Sequence, residues 1–339
     1  MAFKEILLAA LAITTTVFAV HLLKDSKAPA TDKHHNNLQA FHAYNRKHGK
    51  THNSKEEFAY RFSIYQDNKK FIKENNKKQR SFTLGENQFA DLTFEEFRNK
   101  YLSQNVIQND VFTHNLFGIE SDVAKIDWRE KGVISRVKNQ GACGSCWAFS
   151  TTGSFEAAFS IANKESVEFS ESELVDCSGR YGNQGCNGGL MSNAYDYIKA
   201  SKLALESDYP YRPVTGQCHK DASKRRETVT DYKVISPVNV DGLKQAITIT
   251  PVSVAIEVQR DFQLYKSGIY TGNASCGRGL NHGVLAVGFT TEDQTPHFFV
   301  KNSWGETWGE QGYIRMAIGT GSGTCGIANK WDVYPIISK

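Results

Sequence analysis

The chain carries no cysteine before Cys143, so no disulfide can staple its first part. After Ala19 no apolar run is long enough to cross a bilayer, which argues against a membrane-spanning body. No charge sign dominates: 40 Lys+Arg against 36 Asp+Glu leave a formal net charge of +4. That excess is too small to argue for nucleic acid or a membrane surface as partner. The sequence also lacks internal repeats and low-complexity tracts, so neither a solenoid nor a compositional linker describes it.

What is present is enough chain for two cores, 339 residues, with 40% hydrophobic and 22% charged residues as in ordinary globular proteins. Before Asp122 stand 17 basic and 13 acidic residues; from Asp122 onward stand 23 of each. The basic excess therefore belongs to the N-terminal third, a hint of two functional pieces. Lys4, the apolar run from Ile6 to Ala19 and the small residues Val17 and Ala19 read as a signal peptide over 1–19, with a retained signal anchor as the alternative.

Residues about 38–80 predict helix. Phe58, Phe62, Tyr65 and Ile72 recur at helical spacing, and Glu57 can pair with Arg61 one turn on. From 102 to about 121 the pattern dissolves into polar residues and reads as an exposed linker. Beyond the boundary near Asp122, a helix over Cys146 to about Asn163 follows the loop Val137–Ser145. Gly-rich, cysteine-bearing loops span Cys177 to Gly189. Strand-like runs then dominate: Pro251–Val258, Gly283–Thr290, His297–Lys301 and Gly312–Ala317. The part after 121 thus divides into a helical piece, about 131–232, and a β-rich piece, about 233–330.

Seven cysteines leave one thiol over once the others pair, and that thiol is reactive or intermolecular. Cys146 opens a predicted helix, where unsatisfied N–H groups and the helix dipole favour a thiolate. His282, in Leu-Asn-His-Gly at the head of a strand, can take the thiol proton and return it to a leaving amine. Asn302, in Asn-Ser-Trp-Gly, can accept from the imidazole and fix its tautomer, with Trp304 shielding the bond. Gln140 offers a side-chain NH2 that, with the Cys146 N–H, would hold an oxyanion.

The run Gln140-Gly-Ala-Cys-Gly-Ser-Cys146-Trp-Ala-Phe-Ser resembles the nucleophile signature of papain-like cysteine proteases, with His282 and Asn302 following in that family's order. Cys186-Asn-Gly188-Gly189 is similar to its substrate-binding loop. Upstream, Glu57, Arg61, Tyr65, Asn68, Ile72 and Asn76, then Gly85, Asn87, Phe89 and Asp91, match the two propeptide motifs of cathepsin L-type precursors. Tyr65 stands where Phe is usual.

The resemblance implies an α+β, two-lobed papain-like fold with a helical lobe, a β-barrel-like lobe and a cleft between, preceded by an inhibitory prosegment over 20–121 and continued as a mature domain over 122–339. It implies disulfides Cys143–Cys186, Cys177–Cys218 and Cys276–Cys325. It implies a thiol endopeptidase without cofactor or metal, acting on protein and peptide substrates. The chain shows no His-rich insertion between Gly189 and Cys218 of the kind that makes cathepsin B an exopeptidase. Leu190, Met191, Ala255 and Leu280 would line an apolar pocket for the second residue before the scissile bond, with Gly188, Gly189, Asn281 and Trp304 along the cleft. Here Gly326-Ile-Ala-Asn-Lys-Trp-Asp332 looks one residue longer than the family's pattern, so Lys330 or Trp331 could enter that pocket. The prosegment would cover the cleft in reverse direction and loosen in acid as carboxylates such as Asp91 protonate. A monomeric mature form on the secretory route, in a lysosome-like vesicle or outside the cell, completes the expectation.

Other readings remain open on the residues alone. Cys143-Gly-Ser-Cys146 could be a redox pair or half a zinc site. His282 or Asn302 taken singly could be structural. The whole could be a non-catalytic binding or storage protein. Asn273-Ala-Ser is a glycosylation sequon, used or not.

Overall fold

The structure is a computed structural model that describes residues 28–78, 80–104, 123–220, 224–273, 276–277 and 279–338. The expected signal peptide 1–19, linker residues 105–121, the boundary at Asp122 and two residues of the sequon lie outside the described residues. Contacts divide the chain into two compact units, the second beginning at Lys69.

In the first unit, helix α1 (Ala28–His48) ends where Gly49 turns to φ +60°, the left-handed region glycine enters without strain. That glycine breaks the helical stretch expected over 38–80. Helix α2 (Lys55–Asn76) follows, its residues through Asn68 belonging to this unit. Its Phe58, Phe62 and Tyr65 lie with ring centroids 5.1–5.4 Å from Phe41 of α1. One helical stripe thereby makes an aromatic core for a two-helix hairpin. The Glu57 carboxylate accepts the Asn53 N–H at 2.8 Å, and Arg61 lies over the Tyr60 ring. Tyr65 and Asn68 are buried.

In the second unit, strand β1 (Phe82–Leu84) and helix α3 (Phe94–Tyr101) precede the main body. Thr93 and Glu96 close α3 with a reciprocal capping box. After β2 (Lys125–Asp127) comes the central helix α4 (Cys146–Asn163), buried from Cys146 through Ser160. A helix apolar on every side belongs inside. Its buried hydroxyls are satisfied: Ser150 donates to Val284 O at 2.6 Å and Ser154 to Pro251 O at 2.7 Å. Helices α5 (Glu171–Cys177) and α6 (Met191–Ser201) pack with α4 around Trp147, Phe155, Phe169, Tyr195 and Tyr197. A small pair, β3 (Leu203–Ala204) with β4 (Arg226–Glu227), borders this helical cluster.

The remaining elements are β5 (Asp231–Val234), α7 (Val240–Ile249), β6 (Val252–Ile256), α8 (Arg260–Gln263), β7 (Tyr265–Tyr270), β8 (His282–Thr290), β9 (His297–Lys301), β10 (Tyr313–Ala317) and β11 (Val333–Ile336). They form one sheet in the order β1-β7-β10-β9-β8-β6-β11-β5, with β2 also on β8. The four strand-like runs read from the sequence appear as β6, β8, β9 and β10 within two residues of their expected ends.

The lobe expected to be barrel-like is a sheet that does not close among the described residues. β1 of the prosegment takes the edge beside β7, pairing Phe82 with Gly268 and Thr83 with Ser267. At the other end β11 and β5 lead away to the helical cluster, where Val333 and Val234 are buried.

Candidate active site

Three segments converge at the N-terminus of α4. The first is the loop before it, held by the Cys143–Cys186 disulfide and by Gly144 N–H donating to Cys186 O at 2.9 Å. A Cβ on Gly144 would fall 2.4 Å from that carbonyl, so only glycine fits. The second is the start of β8. Gly283 there comes so near the helix that a Cβ would sit 3.1 Å from Trp147 Cα. This close approach brings its neighbour His282 to the Cys146 end of the helix. The third is the turn after β9, whose Asn302 and Trp304 frame the ring of His282.

His282 Nε2 lies 2.8 Å from Asn302 Oδ1. An amide oxygen only accepts, so Nε2 carries the proton and Nδ1 holds a lone pair. Nδ1 is buried and has no hydrogen-bond partner. The ring stacks on Trp304 with centroids 4.6 Å apart, and Trp304 is fully buried. Burial pushes the His282 pKa down from 6.5 to about 4, opposed by the Asn302 bond.

Cys146 is the free cysteine among the described residues and is fully buried. Burial pushes its thiol pKa up, against hydrogen bonds from Gly283, Ser103 and Trp147 that pull it down. In this closed state burial outweighs those hydrogen bonds. The other six cysteines form disulfides 143–186, 177–218 and 276–325.

Every polar group of Gln140 is partnered. Its N–H donates to Ser303 O at 2.8 Å. Its Oε1 accepts from Ser303 Oγ at 2.7 Å and Trp304 Nε1 at 3.1 Å. Its Nε2 donates to Cys143 O at 2.7 Å and to Tyr101 O of α3 at 2.8 Å.

That last bond is one of a row by which the prosegment crosses the site. Gln88 Nε2 donates to Trp304 O at 2.7 Å, and Phe89 and Phe97 meet the Trp304 ring edge to face. Ser103 Oγ stands 3.5 Å from Cys146 Sγ, while Ser103 N–H donates to Asn281 O at 2.9 Å. Gln104 N–H donates to Asn187 O at 3.1 Å. Gly85, Asn87 and Asn76 secure the approach: Gly85 N–H donates to Leu264 O at 2.9 Å, Asn87 Nδ2 to Gln263 O at 2.8 Å, and Asn76 bonds both backbone polar groups of Leu84. Ile72 packs on the strand cluster and Asp91 is buried.

Of the residues expected to line a pocket, Leu190 and Met191 are buried at the start of α6, and Ala255 packs against the cluster holding Met191. Asn329 and Asp332 bracket Ala255, one donating to its carbonyl at 2.8 Å, the other accepting its N–H at 3.1 Å. Leu280 borders Gly326 of the same segment. Lys330 is exposed with its ammonium 4.8 Å from the Trp331 ring centroid. Gly188 has φ +124°, and Gly189 is so enclosed that a Cβ would lie 2.8 Å from Trp147. Asn273 is exposed and donates to Gln259.

Sequence reasoning missed Tyr211, whose hydroxyl reaches both Gln140 and Ser145. It also missed a buried charge cluster in which Lys138 meets Glu156 at 2.7 Å and Glu171 at 2.6 Å. No spacing pattern announces either, because their partners lie on separate elements. Among the described residues no group of three or more His, Cys, Asp or Glu is placed to hold a metal ion, and no helix is long and apolar enough to cross a membrane.

Comparison with known proteins agrees with this arrangement. The family profile "Papain family cysteine protease" matches residues 123–335, and "Cathepsin propeptide inhibitor domain (I29)" matches residues 41–97. A cathepsin L-like proteinase of Fasciola hepatica is 44% identical over 301 residues, covering 86% of this chain and 92% of that one. The solved recombinant stem bromelain precursor superposes with a TM-score of 0.82 at 33% identity, covering 90% of this chain and all of that one. Digestive procathepsin L 3 of the Tenebrio molitor larval midgut gives a TM-score of 0.80 at 34% identity over 89% and 99% of the two chains. The chain therefore belongs to the papain family of cysteine proteases and is a zymogen that carries its own inhibitory propeptide.

Proposed function

We propose that the chain matures into an endopeptidase whose nucleophile is Cys146 and whose acid and base is His282. The observation that carries this is the buried, unpartnered Nδ1 of His282 at the Cys146 end of α4, its Nε2–H spent on Asn302. The Cys146 proton passes to Nδ1 as sulfur attacks the scissile carbonyl carbon. The resulting oxyanion takes a hydrogen bond from Cys146 N–H and one from Gln140 Nε2, the hydrogen that Tyr101 O holds in the precursor. Collapse breaks the C–N bond, the amine leaves with the imidazolium proton, and a thioester remains. Water, giving a proton to His282, then releases the acid and restores the thiol.

Inhibition works by occupation. From Gln88 to Gln104 the prosegment passes Trp304, then Cys146, then Asn187. In the family's mode a substrate runs the other way, so the reversed chain fills the cleft without offering a cleavable bond. Acid favours release, since uncovering lets His282 take up the proton that burial denies it. Leu190, Met191, Ala255 and Leu280 support a preference for an apolar or aromatic side chain two residues before the scissile bond. Lys330 is exposed and lies over the Trp331 ring, which supports that preference. The signal over 1–19, a mature start near Asp122, a monomeric mature form, and a destination in a lysosome-like vesicle or outside the cell belong to the same proposal. Retention of Gln140, Cys146, His282 and Asn302 argues against a non-catalytic storage or binding protein.

The test is the Cys146→Ser precursor. It folds, survives acid uncleaved and hydrolyses no peptide. Hydrolysis by this variant at the parent rate would overturn the mechanism.

A further inference from the structure

Ser145 stands at the N-cap of α4, the position where a serine hydroxyl ordinarily accepts a backbone N–H of the first turn. Here it makes no such bond. Its hydroxyl instead lies 2.7 Å from the Tyr211 oxygen. Tyr211 in turn donates to the Gln140 carbonyl at 2.7 Å. With the single phenolic proton spent on Gln140, Ser145 is the donor to Tyr211. One phenol thus ties the loop that carries Gln140 to the residue preceding Cys146.

Tyr211 is itself well held. Its ring meets Phe149 of α4 edge to face at 4.7 Å, and its N–H donates to Glu206 at 2.8 Å. The next residue, Arg212, donates its N–H to Ser172 Oγ at 2.7 Å, and Pro213 lies against Gly141. Burial raises the phenol pKa, so the hydroxyl stays protonated across the range in which the protein can work.

We propose that Tyr211 is a positioning residue for the oxyanion site: its hydroxyl sets the distance between the Gln140 amide and the Cys146 N–H. The inference rests on the reading of Gln140 as an oxyanion donor. Ser303, Trp304 and the Cys143 carbonyl hold the Gln140 side-chain amide, and Ser303 O holds its backbone N–H, but its backbone carbonyl is fixed by Tyr211. Without the phenol oxygen, the Gln140 carbonyl loses its tie to Ser145 and the peptide that carries the amide can tilt, while the thiol and imidazole stay where α4 and β8 hold them. The two donors would then cease to converge on one oxygen, a loss felt in the transition state and not in substrate binding.

The experiment compares acid-matured parent, Tyr211→Phe, Gln140→Ala and the double variant with one peptide substrate, together with iodoacetamide alkylation of Cys146. Tyr211→Phe should lower kcat about tenfold, as loss of a well-placed hydrogen bond does, with KM and the alkylation rate changed less than about twofold. In the Gln140→Ala background the same change should cost almost nothing further. An unchanged kcat, multiplicative losses in the double variant, or an alkylation rate falling in step with kcat would overturn the proposal. If Gln140→Ala itself leaves kcat intact, the oxyanion reading fails; if Gln140→Ala is slow and Tyr211→Phe is not, only the role of Tyr211 fails. Should Tyr211→Phe not mature, Ser145→Ala removes the other end of the bridge: a kcat fall of about threefold at constant KM supports the proposal, and parent kinetics refute it.

Discussion

The hydroxyl of Ser103 rests 3.5 Å from the sulfur of Cys146, and the same serine's N–H donates to Asn281 O at 2.9 Å. Ser103 therefore covers the Cys146 sulfur with its side chain and anchors its backbone on the residue before His282. Steric closure and electrostatic silencing of the pair are one event.

Acid should open this contact. The covered His282 has its pKa depressed from 6.5 to about 4, so it favours the closed state above pH 6.5 and loses that contribution as pH falls toward 4. Opening of residues 97–104 in the Cys146→Ser precursor, followed by hydrogen exchange corrected for intrinsic rates, should rise through that window. Equal opening at pH 7.5 and 4.5 would contradict it. Two carboxyls in the protease body, half-buried Glu206 and buried Asp332, shift upward: burial raises Glu206 to about 7 and Asp332 well above 3.8. A carboxyl with a raised folded pKa contributes less as pH rises, so Glu206→Gln should raise the melting point of the matured body relative to the parent more at pH 7 than at pH 4.5.

Phe89 is the aromatic anchor of the prosegment, with Phe97, Tyr101 and Trp304 all within 5.5 Å between ring centroids. Phe89→Ala removes a fully packed ring at a cost of roughly 3–5 kcal/mol. The precursor should then cleave peptides at neutral pH where the parent precursor does not.

Asn302→Ala deprives the buried Nε2–H of His282 of its acceptor. An unpartnered buried donor costs roughly 1–3 kcal/mol and frees the ring to turn. The matured variant should lose roughly tenfold or more in kcat with little change in KM, measured with one peptide at fixed pH.

Lys138 lies buried between Glu156 and Glu171, which in turn accept from Phe169 N–H and Thr152. Lys138→Met fills similar space but leaves carboxylate charge in the interior. Thermal melting of the matured body should register a loss of roughly 3–5 kcal/mol. Parent-like melting would mean the carboxyls are held neutral at no cost.

Local patterns made much of this legible. The α4 helix and the strands β6, β8, β9 and β10 follow from periodicity, since burial on one face or on all faces leaves a mark in residue order. Cys146, His282 and Asn302 stood out because each sits in a short motif. What stayed hidden is long-range: the edge strand Phe82–Leu84 completes a sheet through residues 265–268, and Tyr211 works on Gln140 and Ser145 some 70 positions away. The covered state of the thiol was not legible either, because helix position is visible in sequence and the approach of Ser103 to Cys146 is not.

The central claim is that one buried thiol, covered by the prosegment and freed in acid, performs the chemistry. Precursor and acid-matured protein should each be treated with an epoxysuccinyl inhibitor, mapped by mass and assayed for peptide cleavage. The account predicts a single adduct on Cys146 of the matured form, with matching loss of activity, and an unlabelled precursor at neutral pH. Equal labelling of the two forms, an adduct elsewhere, or folded matured protein that neither reacts nor cleaves would contradict it.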